Sequence, residues 1–160
     1  MMTTADFLLT ATATLCALMA GLFYAWSCSV MPGLARLSDK EFVSAMQSAN
    51  RAIQNPVFFA AFFGAPIFLL VSAFWFYDET VRFRLLLAAT VIYLLGNFGV
   101  TVFGNVPMNN ALDRFDLKNA SEEETARQRT AFERRWTNLN HIRAAASTIA
   151  LILVIIACLN

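Results

Sequence analysis

The chain's single histidine, His141, stands next to Asn140 and two residues before Arg143. Such a triplet can take a proton, hydrogen-bond an oxyanion and hold a negative charge, since imidazole titrates closest to neutrality and a guanidinium stays charged. Three further polar clusters accompany it: Ser27-Cys28-Ser29 ahead of Met31-Pro32, Gln54-Asn55-Pro56, and Asn105-Val106-Pro107-Met108-Asn109-Asn110. Each marks one end of a long apolar stretch, the first and third closing theirs, the second and fourth opening theirs. A chain that crosses a bilayer four times alternates direction, so all four clusters meet at one face.

Competing readings attach to each of these groups. His141 serves as a general base or a single axial haem ligand, or simply caps and snorkels where its helix enters the membrane. Arg143 lies about 200° from His141 around a helix, so the two cannot both face one pocket; it anchors to lipid phosphate or stabilises an anion from the side. Asn97, Thr101 and Asn105 recur every four residues and share one stripe, as interhelical links or as pocket lining. Tyr24, Trp26 and Trp136, with Trp75 and Tyr77, suit interfacial anchoring or a flat aromatic ligand. One histidine without a cysteine pair or nearby acids cannot supply three ligands to zinc or non-haem iron, so no metal is expected. No glycine-rich phosphate loop, nucleophile elbow, carboxylate pair or CxxC motif is present, which disfavours nucleotide, serine-ester and redox-disulfide chemistry. Cys16, Cys28 and Cys158 lie in or beside apolar helices and suggest no disulfide framework.

The elements that position these groups follow from composition. Of 160 residues 58% are hydrophobic and 14% charged, against about 25% charged in a soluble domain. Charge-free intervals at 7–35, 52–77 and 85–112 each exceed the roughly 20 residues that a helix needs to cross hydrocarbon. The fourth, 144–159, has sixteen residues and covers only about 24 Å, which pulls Asn140, His141 and Arg143 to membrane depth. The expected fold is all-α, a single four-helix transmembrane domain over 1–160 with spans at about 6–30, 56–77, 84–105 and 141–159. A cleaved signal peptide is not expected, because no basic residue precedes the first apolar run.

Between the spans, Ser38-Asp39-Lys40-Glu41 and Ser121-Glu122-Glu123-Glu124 are capping boxes. The first opens an amphipathic helix with Phe42, Met46, Ala49 and Ile53 on one side, lying along the interface or packing under the bundle. The second opens a stretch free of glycine and proline to Leu159, read as one long helix or two collinear ones, that extends the fourth span into the cytoplasm. Its Phe132, Trp136 and Leu139 should dock on the amphipathic helix and on the exit of span three. Pro32 and Pro107 are read as helix stops, Pro56 as a first helical residue, Pro66 as a kink, and Gly96 and Gly99 as points of close helix approach. The segments joining spans one to two and three to four hold Arg36, Lys40, Arg51, Arg114, Lys118, Arg127, Arg129, Arg134, Arg135 and Arg143, whereas the turn between spans two and three holds Arg82 and Arg84. Ten against two places both long connections in the cytoplasm and both termini outside, in a membrane of the bacterial inner type. A net charge of +1 gives no sign of a nucleic-acid partner.

Taken together, Gly21-Leu22-Phe23-Tyr24-Ala25-Trp26-Ser27, Val30-Met31-Pro32-Gly33-Leu34, Asn50-Arg51-Ala52-Ile53-Gln54-Asn55-Pro56, Asn105-Val106-Pro107-Met108-Asn109-Asn110-Ala111-Leu112 and Trp136-Thr137-Asn138-Leu139-Asn140-His141-Ile142-Arg143 resemble the anthrone oxygenase-like family of small four-span membrane proteins. The resemblance runs over nearly the whole chain; Leu139 departs from it, standing where a bulkier residue is expected. It implies oxidation of a polycyclic anthrone to an anthraquinone by dioxygen with no known cofactor. In that chemistry His141 would be the base, with Asn140, Asn105 and Asn109 binding the oxyanion and Arg143 holding charge. Tyr24, Trp26 and Trp136 would sandwich the rings, with Ser27, Asn50, Gln54, Asn55, Asn97 and Thr101 completing the pocket. The expected partner is an apolar small molecule or lipid, and self-association stays open. The competing reading is a non-catalytic binding or accessory protein for a lipid, quinone, haem or partner subunit. Transport ranks last, for want of paired intramembrane acids or interrupted helices.

Overall fold

The computed structural model describes residues 1–160 and is helical throughout, without strands. Five helices follow in order: α1 (Thr4–Leu34), α2 (Asp39–Ala52), α3 (Pro56–Trp75), α4 (Thr80–Asp113) and α5 (Glu122–Leu159). All but α2 are long and apolar enough to cross a membrane. They form a four-membered ring in which α1 packs on α3 and α5, and α4 on the same two. The protein is an integral membrane protein built as a four-helix bundle.

Each start is written in local side-chain chemistry. Ser38 accepts from the Glu41 amide and Ser121 from the Glu124 amide, each glutamate returning to its cap residue's N–H, so two orphan donors are satisfied at a time. Asn55 caps α3 by accepting from the Phe58 N–H, with Pro56 at the first position. The long α5 is a single unbroken helix, and α3 remains helical through Pro66.

Helix length decides where the site lies. With 20 residues α3 spans about 30 Å, the thickness of the hydrocarbon. The 31, 34 and 38 residues of α1, α4 and α5 overshoot it, and their extra turns gather on the side where α3 begins. There α2 closes the bundle, burying Phe42, Val43 and Met46 against Met31, Leu112, Phe132 and Trp136. Three fully buried side chains contribute roughly 1.5–3 kcal/mol each at a face that water would otherwise reach. Gln47 ties α2 to the carbonyls of Leu112 and Phe115, and Arg51 to Asp113. Arg129 of α5 reaches the carbonyls of Ala35 and Leu37 and the Asp39 carboxylate.

Within the spans lipid gives no hydrophobic drive, and close packing and polar links take over. Thr12 meets the Ser72 hydroxyl at 2.7 Å, and Asn97 donates to Ser147. A Cβ on Gly96 would stand 2.5 Å from Ala146 Cβ, and one on Gly104 would stand 2.9 Å from Leu139 Cδ1. Close approach therefore falls at Gly96 and Gly104; Gly99 meets only its own helix, at the Leu94 carbonyl. Leu139 fills the notch at Gly104.

Pro32 and Pro107 do not stop their helices. A proline in α-geometry lacks an N–H and presses its ring on the carbonyl four residues back. Here a widened π-turn precedes each proline: Trp26–Val30 before Pro32, Thr101–Asn105 before Pro107. The Met31 N–H bonds the Trp26 carbonyl and the Val106 N–H that of Thr101, five residues back, and the next residue is the proline. The wider turn shifts the carbonyl register, so both helices continue, to Leu34 and Asp113.

Candidate active site at the polar end of the bundle

The π-turns sit where the polar clusters were read from the sequence, and between them lies a cavity of about 210 Å³. It exceeds the roughly 150 Å³ that accepts a benzene ring. Phe23 and Trp26 of α1, Asn50 of α2, Gln54 of the turn between α2 and α3, Phe58 and Phe62 of α3, Thr101 and Asn109 of α4, and Trp136 and Arg143 of α5 all line it. The rings are ordered: Trp26 and Trp136 tilt together at 5.2 Å, Phe58 stacks on Phe62 at 5.4 Å, and Phe62 stacks on Phe98 at 5.1 Å.

Arg143 is the one ionisable residue of the wall. It is 5% exposed, and none of the protein's four ion pairs includes it. Its Nη2 donates to Asn140 Oδ1 at 2.8 Å and its Nη1 to Thr101 Oγ1 at 3.4 Å, while Nε has no partner. The guanidinium carbon lies 4.3 Å from the Phe23 ring centre and 5.3 Å from that of Trp136, so two aromatic faces take the place of a carboxylate. Asn140 is held in turn, its Nδ2 donating to the Phe23 carbonyl at 3.0 Å and to Ser27 Oγ at 2.8 Å. Both amide ends are engaged, which fixes the oxygen towards Arg143.

The structure does not bring His141 to this cavity. Its ring is exposed, with Nδ1 3.0 Å from Ser27 Oγ. The cause is the helical turn itself: Asn140 and Arg143, three apart, share the inward face of α5, and His141 points away from it. Tyr24 is likewise turned outward, 63% exposed. Asn55 is absorbed by the α3 cap and by the Ala52 carbonyl. Asn97 and Asn105 are buried outside the cavity lining, bonded to Ser147 and to the Trp136 carbonyl. Thr101, between them on the same stripe, does reach the cavity. Asn109 accepts from Trp136 Nε1 at 2.8 Å and orients that ring. Asn50 is 6% exposed with Nδ2 unpartnered, while its carbonyl accepts from Gln54 Nε2.

Phe23, Phe58, Phe62 and Asn110 are wall residues that the sequence reading left out of the site. Fifteen phenylalanines in an apolar chain hide the few that matter. The available signal was position: Phe58 and Phe62 fall in the first two turns after the Gln54-Asn55-Pro56 cluster, four residues apart on one face. No three side chains among His, Cys, Asp and Glu are placed so that they could hold a metal ion.

No curated protein and no solved structure matches the chain. A family model described as anthrone oxygenase matches residues 56–153, a stretch that takes in α3, α4 and most of α5 and so includes Thr101, Asn109, Trp136 and Arg143. That match covers more than half of the sequence, and the chain belongs to the anthrone oxygenase family.

Proposed function

We propose that the protein takes a flat, apolar phenolic or anthrone-type molecule into this cavity and oxidises it with dioxygen. The observation that carries the reading is the pairing of a ring-lined slot with a single buried cation lacking any acidic partner. An anthrone has an acidic methylene; once deprotonated, it is electron-rich enough to give an electron to dioxygen and recombine as a hydroperoxide. Loss of water then leaves the quinone. One oxygen atom stays in the product and the other departs as water, with the substrate's own two hydrogens as reductant.

In this chemistry Arg143 meets the substrate oxygen, Asn50 and Gln54 offer hydrogen bonds, and Trp26, Phe58, Phe62 and Trp136 hold the rings. Asn140 positions Arg143, and Asn97, Asn105 and Ser27 hold the helices that carry both. The excess of Lys and Arg on the cavity side supports a cytoplasmic placement of that face.

The test is an anthrone added to protein in lipid nanodiscs, with oxygen uptake and quinone absorbance followed together. One dioxygen consumed per quinone, at a rate well above protein-free nanodiscs, is expected; no acceleration by folded protein overturns the reading. One observation favours a second reading, a quinone- or lipid-binding accessory protein: no imidazole, carboxylate, thiol or amine lines the cavity to act as a general base. Tight retention of an aromatic molecule without turnover would select it.

A further inference from the structure

We infer that the cavity binds its substrate as the anion, with Arg143 supplying the charge and Asn50 a second hydrogen bond; the inference rests on the reading above and specifies the form of the ligand. In the step concerned, the methylene C–H bond breaks, the electron pair moves through the ring to the carbonyl oxygen, and the proton goes to water. No oxidant enters.

Three observations converge on this. A guanidinium carries five N–H donors, and two of those of Arg143 have partners. Its Nε is buried without one, as is Nδ2 of Asn50, and both residues line the cavity. Both are donors, so the ligand must bring acceptors.

The second observation is charge. A buried cation is costly unless something compensates it, and aromatic faces do so only in part. No acid faces Arg143 from any helix packed around it. The cavity residues of α1, α2, α3 and α4 carry no charge, Asp113 is engaged with Arg51, and His141 lies on the opposite side of α5. The missing negative charge is the ligand's.

The third is the shape of the wall. Stacked rings and an apolar lining favour a delocalised aromatic oxyanion over a hydrated inorganic anion or a lipid phosphate. Against an apolar lining the cation acts on the bound oxygen at a lower effective dielectric than in bulk solution. It makes the carbon acid stronger, and a protein base becomes unnecessary.

The experiment is an anaerobic titration of anthrone bound to the nanodisc-embedded protein, reading the enolate absorption band against pH. An opposite charge within hydrogen-bond range lowers an acid's pKa by about 1–3 units, so an ionisation constant raised roughly 10- to 1,000-fold over anthrone in empty nanodiscs is expected. Arg143→Met should bind anthrone with the ionisation of the empty nanodisc, Arg143→Lys should restore part of the shift, and Asn50→Leu should lose part of it. Wild-type protein that binds anthrone with no shift overturns this inference and leaves the oxidation reading standing. No binding at any pH overturns both. A shift abolished by chloride or inorganic phosphate while the ring stays bound would make Arg143 a general anion site, and the inference would fail. The wild-type arm decides even if a variant does not fold.

Discussion

Phe132, Trp136, Asn140, Arg143, Ser147, Ala150 and Val154 follow one another at spacings of three and four along α5, and every one is buried. That single line places Arg143 inward and leaves His141 outside. Arg143→Met is accordingly expected to lower anthrone turnover by roughly 100-fold or more, the scale on which a preorganised oxyanion donor acts. His141→Ala should change it by less than about threefold, since the loss is one exposed contact to Ser27. Steady-state rates on the two purified variants check this, and equal losses would return the imidazole to the chemistry. Asn140→Leu removes the acceptor of Arg143 Nη2 and one donor each from Ser27, which keeps its contact to His141, and from the Phe23 carbonyl, which keeps the Trp26 N–H; leaving the buried guanidinium without that acceptor costs about 1–3 kcal/mol. A lowered Tm together with a weakened anion shift is expected. The polar clusters were legible as clusters, and so was the 200° between His141 and Arg143. Which of the two faces inward was legible only by extending the stripe through Trp136 to Ser147, because the chemical appeal of a lone histidine carries no information about direction.

The helix interfaces make a graded prediction from three glycines. Gly96→Ala sets a Cβ 2.5 Å from Ala146 Cβ, where neither helix has a flexible group to move, so a loss of about 1–3 kcal/mol is expected. Gly104→Ala meets the mobile end of Leu139 and should cost less, whereas at Gly21 nothing lies within 4 Å and alanine gains helix propensity. Thermal unfolding of the three variants should give that order. The capping boxes add a pH signature. Hydrogen bonds from the Ser38 hydroxyl and amide hold the Glu41 carboxyl below its usual range, and those from the Ser121 amide and hydroxyl do the same for Glu124. A folded-state value lower than the unfolded one means the stabilisation is complete above the ordinary glutamate range, near pH 4.3, and fades as pH falls through the lowered value. Amide exchange in the first turn of α2 should therefore accelerate below about pH 4, while α3, capped by the neutral Asn55, should not respond. These starts were readable because a cap is a local pattern. The prolines were misread for the same reason: the rule that a proline ends a helix presumes α-geometry, and the π-turns that accommodate Pro32 and Pro107 arise where the polar segments of α1 and α4 pack against α5.

Over the whole molecule, alternation of four apolar runs was enough to predict that the polar ends meet, but not that they would leave a space. The space comes from unequal lengths. While α3 packs along the Thr80–Tyr93 part of α4, it falls away from the Thr101–Asp113 part, so the two helices diverge towards the cavity side. Phe59 and Val106 stand on either side of that divergence, each lining the cavity and each about two-fifths exposed, at 39% and 40%. Both are apolar, and in the proposed function the gap between them would be the path of an apolar substrate from the bilayer. If substrate arrives by this path, its relevant concentration is the mole fraction in the membrane. At fixed protein and fixed total anthrone, adding lipid to proteoliposomes should dilute the substrate in the membrane and lower the rate in proportion to its mole fraction there. Val106→Trp, which narrows the opening without touching Arg143, should lower kcat/KM by about tenfold, roughly 1.4 kcal/mol on the access step. It should leave a single turnover of prebound substrate near the wild-type rate. A Val106→Trp variant that keeps the wild-type kcat/KM would place the route at the water-facing rim by Gln54 and Asn110.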